Sequence, residues 1–92
     1  MKTIYKYEIP ATQKAVTMKK DAEILSVAFQ DQTLSIWAKV NSDNPDELKS
    51  FRVYGTGHAI FGDDENISIQ FVGTAFHPAG FVFHVFSVEE NN

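Results

Sequence analysis

Apolar residues in this chain recur at every second position, and no stretch carries the spacing of an amphipathic helix. That regularity commits the chain to β-structure, because only an extended strand turns alternate side chains to one face. Thr3 to Ile9 reads as a first strand, ended by Pro10, and Ala15 to Met18 as a short second one before the polar turn Lys19-Lys20-Asp21. Glu23 to Gln30 and Thr33 to Val40 form the clearest hairpin. Leu25, Val27 and Phe29 share one face of its first strand, and Leu34, Ile36, Ala38 and Val40 share one face of its second. Asp31-Gln32 between them has the length of a two-residue turn but lacks the favoured glycine.

The second half continues the pattern. Asn41 to Glu47 is a solvated loop by its turn chemistry, and Asp46-Glu47-Leu48-Lys49 could make at most one helical turn. Ser50 to Gly55 is a strand with Phe51 and Val53 on one side, Arg52 and Tyr54 on the other. A loop follows to Asn66, then a strand from Ile67 to Phe76 with Ile67, Ile69 and Phe71 together, the turn His77-Pro78-Ala79-Gly80, and a last strand from Phe81 to Val88. Residues 89–92 read as a frayed tail. Residues 1–92 are thus expected to make a single all-β domain, an antiparallel sandwich or small barrel of six to seven short strands.

The last strand breaks the rule that a half-buried antiparallel strand alternates apolar with polar. Phe81, Phe83 and Val85 point one way; Val82, His84, Phe86 and Val88 point the other. No helix is available to cover a second apolar face. The expectation is a homo-oligomer with a subunit contact through Phe81, Val82, Phe83, His84, Phe86 and Val88. A sandwich or barrel corner that buries both sides is the competing reading. Length points the same way as the oligomer: a domain of 92 residues buries only about 60–65% of its unfolded surface.

Charge narrows the class of partner. Residues 1–20 carry five Lys against one Glu, whereas residues 21–92 carry three basic against eleven acidic residues. A net charge of −4 is unsuited to nucleic-acid polymers, whose phosphates require many Lys and Arg. With no cysteine, disulfides and thiolate metal sites are excluded, in keeping with a reducing cytosol. The N-terminus lacks the apolar core of a signal peptide, and no apolar run approaches the ~18 residues of a membrane span, so a membrane role is not expected.

Chemistry concentrates in one segment. Arg52 is the only arginine, and it lies in Phe51-Arg52-Val53-Tyr54-Gly55-Thr56-Gly57-His58. A guanidinium offers a planar fork to phosphate or carboxylate. Gly55 and Gly57 permit a turn whose amides can form an anion nest, Thr56 adds a hydroxyl and His58 a ring donor or acceptor. Tyr54 or Trp37 could stack on a base or sugar. Arg52, Tyr54, Gly55, Thr56, Gly57 and His58 are therefore the candidate ligand site for a small phosphate-bearing anion. Gly-x-Gly is by itself a weak signal; the dinucleotide fingerprint needs a third glycine and a helix. The competing reading is a tight loop with Arg52 paired to an acidic neighbour.

The three histidines, His58, His77 and His84, lack metal-ligand spacing, and Asp63-Asp64-Glu65-Asn66 lacks the EF-hand spacing, so neither a metal nor any other cofactor is expected. His84, among Val82, Phe86 and Val88, reads as a paired buried histidine. If the protein were an enzyme, His58 and His84 would be its acid and base, as in a metal-free phosphodiesterase. The two His-x-Thr/Ser repeats of two-histidine phosphoesterases are missing, and there is no nucleophile elbow.

Three segments, Met1-Lys2-Thr3-Ile4-Tyr5-Lys6-Tyr7-Glu8-Ile9, the Phe51–His58 run and Phe83-His84-Val85-Phe86, resemble a family of short phage and prophage proteins of unassigned function. Ile24-Leu25-Ser26-Val27 and Ile36-Trp37-Ala38 are similar to it as well; the segment around Phe76-His77-Pro78-Ala79 departs from its pattern. The resemblance covers nearly the whole chain. It implies no catalytic residues. It implies a setting in the cytoplasm of a bacterial host and a role in countering host defence, by sequestering a signalling nucleotide or by blocking a protein.

Overall fold

The computed structural model describes residues 1–10, 15–60 and 67–90, with Glu90 described by its backbone alone. The acidic run Asp63-Asp64-Glu65-Asn66 and the residues Asn91 and Asn92 lie outside them. Among the described residues seven strands follow in order: β1 Lys2–Glu8, β2 Ala15–Lys19, β3 Glu23–Gln30, β4 Thr33–Asn41, β5 Asp46–Gly55, β6 Ile67–Phe76 and β7 Val82–Glu90. They form two antiparallel sheets, one ordered β1-β4-β3 and one ordered β2-β5-β7-β6. The all-β class and the sandwich expected from the alternation are both present.

The core lies between the sheets. Ile9, Leu34, Ile36, Ala38 and Val40 from the first meet Val16, Met18, Phe51, Ala75 and Val85 from the second. Each set is spaced by two along its strand, so each sheet keeps its other face outward. Within β3 the register shifts between Ile24 and Ser26, which leaves Leu25 as the extra residue of a bulge. Ile24, Val27 and Phe29 pack against the core, and Leu25 is turned out. β6 shifts likewise between Phe71 and Gly73.

Two segments differ from their sequence reading. Asp46 to Lys49 is strand rather than a loop or helical turn, because β2 runs alongside it and supplies its backbone partners from Lys19↔Asp46 to Val16↔Lys49. Lys19 Nζ also reaches Asp46 Oδ1 at 3.1 Å. At the other end β7 continues past Val88, with Glu89 and Glu90 paired to Ser68 and Ile67, so the expected frayed tail is strand for those two residues.

The β3–β4 turn is the one the spacing required. Asp31 and Gln32 both adopt positive φ, 50° and 67°. Two consecutive left-handed residues make the type I′ geometry whose twist matches the flanking strands.

Candidate functional site

β5 turns Phe51 and Val53 toward the core, so Arg52 and Tyr54 face outward from the four-stranded sheet. β7 lies beside β5 with Arg52 opposite Phe86 and Tyr54 opposite His84. On the far side of β7, β6 places Phe71 opposite Phe86 and Thr74 opposite His84. Register therefore assembles two rows on one outer face: Arg52, Phe86, Phe71 and Tyr54, His84, Thr74.

Both rows are held by direct contacts. The Tyr54 and Phe86 rings meet edge to face at 5.7 Å, and Phe71 meets Phe86 at 5.6 Å. Edge-to-face pairs at such distances contribute about 0.5–1.5 kcal/mol beyond area burial. His84 is clamped between two hydroxyls: Nε2 lies 2.8 Å from Thr56 Oγ1 and Nδ1 lies 3.0 Å from Thr74 Oγ1. A threonine hydroxyl can donate or accept, so this clamp fixes the ring plane in either tautomer.

The turn after β5 divides the remaining candidate residues. His58 N–H donates to the Gly55 carbonyl at 3.0 Å, and Gly57 has φ +88°, a conformation that glycine adopts without strain. Thr56 N–H donates to the Val82 carbonyl at 3.3 Å. That amide is committed to the fold, so the turn presents Thr56 to the site through its hydroxyl. A Cβ on Gly55 would point to the side shared by Phe51 and Val53, where it would meet His58 Cε1 at 2.7 Å. The His58 ring thus lies on the inward side of β5, and His84 lies on the outward side. The structure brings together Arg52, Tyr54, Thr56 and His84; it does not bring His58 to His84. Trp37 belongs to the outer face of the other sheet, opposite Lys6, because Ile36 and Ala38 on either side of it are buried.

The residues expected at a subunit contact also divide. Val82, His84, Phe86 and Val88 lie on the outward face, whereas Phe83 packs inward against Phe29 at 5.8 Å. Phe81 precedes β7, is exposed, and lies 5.9 Å from the His77 ring. Phe71 and Thr74 join the site unannounced by any motif; only the bulged register of β6 places them there. Among the described residues, no group of three or more His, Asp or Glu side chains could hold a metal ion. No helix among them is long and apolar enough to cross a membrane.

Residues 1–92 match the family described as Domain of unknown function (DUF7352), and the chain belongs to that family. No curated protein and no solved structure matches it.

Proposed function

We propose that this protein is a non-catalytic binding protein that holds a small phosphate-bearing ligand against the outer face of the four-stranded sheet. The observation that carries this reading is the pair of cross-strand rows, Arg52-Phe86-Phe71 beside Tyr54-His84-Thr74, on one outward face. Arg52 would clamp phosphate, Tyr54 and Phe86 would stack on a base or sugar, and Thr56 would add a hydroxyl. The clamp on His84 supports holding over cleavage: a ring with both nitrogens engaged must give up a partner before it can move a proton.

A flat sheet face holds a small ligand poorly unless something closes over it. Phe71 in the first row is 58% exposed, and Leu48 and Phe76, farther along β5 and β6 on the same outward face, are 71% and 70% exposed. Apolar exposure on this scale favours a covering partner, and we take it to be a second copy, with the ligand in the seam. The likeness of the sequence to short phage proteins makes a nucleotide signal of host immunity the ligand of choice, and the host cytoplasm the compartment.

Calorimetry against cyclic and ADP-ribose-derived nucleotides tests this. Saturable binding without product formation is expected. Arg52→Ala should weaken it about ten- to a hundredfold, the loss that follows removal of a charged hydrogen bond of ~1.5–3 kcal/mol. Binding by none of these nucleotides, or binding indifferent to Arg52→Ala, would sink the proposal.

A further inference from the structure

At the end of the sandwich marked by the β3–β4 and β6–β7 turns, the two sheets part around a cavity of about 450 Å³. Its walls come from both sheets: Ile9, Phe29 and Leu34 from one side, Val53, Phe83 and His77 from the other. Among the described residues, no Lys, Arg, Asp or Glu lines it. The size falls within the range of small-molecule sites, as does an apolar lining with a few fixed polar groups. The Arg52 face lies on the opposite side of β5 from Val53, so this is a separate place on the molecule.

Three features define the guest. First, the walls are aromatic: Phe29 meets the His77 ring edge to face at 4.9 Å and the Phe83 ring at 5.8 Å. Such walls favour a flat aromatic guest. Second, the described lining offers a charged guest no partner, and ions are costly to bury without one, so a neutral guest is favoured. Third, Ala79 N–H donates to His77 Nδ1 at 3.0 Å, which assigns the ring hydrogen to Nε2 and makes His77 a donor. The turn that carries the ring is fixed by His77 N–H to Phe81 O at 2.8 Å and Gly80 N–H to His77 O at 2.9 Å. Gln32, at φ 67°, adds an independent sign: it lines the same cavity in a conformation that glycine would adopt at less cost. Glycine there would leave the cavity without that amide.

We infer that this cavity is a binding site for a small, neutral, flat aromatic molecule bearing one hydrogen-bond acceptor, which His77 Nε2–H meets. The test uses acetophenone, which has such an acceptor, and cumene, which has the same ring and a side chain of similar size without it. Each is titrated into the full chain and followed by NMR. Both guests should give saturable shifts confined to Phe29, Val53, His77 and Phe83. His77→Phe keeps a ring at the wall and should weaken acetophenone about fivefold, the factor that one neutral hydrogen bond carries, while leaving cumene unchanged. Val53→Phe fills the space and should abolish both. Should that variant fail to fold, the His77→Phe comparison still decides. Shifts that do not saturate, shifts spread over the outer sheet faces, or equal loss of both guests on His77→Phe would overturn the inference.

Discussion

His84 is the residue on which the outer face turns. It is half-buried on the outward face of an interior strand rather than fully buried, and two threonines engage its ring nitrogens. Thr74 is the more protected of them, so Thr74→Val should destabilise the fold by about 1 kcal/mol in urea titrations. Thr56→Val, at an exposed position, should cost less, and both should loosen the ring's fixed orientation in nitrogen-15 NMR. Asp43 gives a second prediction at this scale. Its carboxyl accepts a hydrogen bond from the Met1 ammonium at 2.9 Å, and that bond together with the ammonium's charge holds its pKa below the ordinary 3.8. A depressed folded-state pKa stabilises the fold above the unfolded value, and the contribution fades as pH falls through the folded value. Melting temperature should therefore fall more on acidification in the natural chain than in Asp43→Asn. Because the pair is solvent-exposed, high salt should shrink the difference.

Strands and turns show where local chemistry and packing disagree. The Asp31-Gln32 turn has the length and twist of type I′ with the wrong second residue. Gln32→Gly should raise stability by about 1 kcal/mol, measured by thermal or urea unfolding, since the left-handed conformation carries a Cβ penalty of about that size. Gly73 runs the other way. A Cβ there would lie 2.7 Å from Val27 Cγ2, where β6 packs on β3 across the sandwich. Val27 is short and partly buried, so the clash cannot be relieved by swinging a long side chain. Gly73→Ala should cost about 1–3 kcal/mol, the range for overpacking. For Gly55→Ala the nearest atoms belong to the far end of the exposed His58 ring, and circular dichroism should find its fold intact with His58 displaced.

At the scale of the whole molecule, the proposed second copy over the outward aromatic face predicts an oligomer. Light scattering at micromolar concentration should show a dimer or larger species, and Phe86→Asp should dissociate it; a clean monomer in the natural chain would remove the covering copy. Alternation alone determined the strand class, most strand bounds, and which of Phe51, Arg52, Val53 and Tyr54 face inward. These depend on a two-residue period that each strand carries by itself. It also showed that β7 is apolar on both sides. It could not show that β7 is an interior strand with β5 and β6 as neighbours, nor that Asp46 to Lys49 would be drawn into a ladder by β2. Strand order and register arise from contacts between residues far apart in the chain, and no local pattern encodes them. The same cause hid the site's composition. Thr74 and Phe71 reach His84 and Phe86 only through a one-residue bulge in β6, and His58, three residues after Gly55, leaves the group because a turn folds its ring back over that glycine. Alternation assigned faces where strands run without interruption and misplaced Leu25, which the β3 bulge turns outward; which faces met was settled by the tertiary structure, because a strand's period is local and its bulges and partners are not.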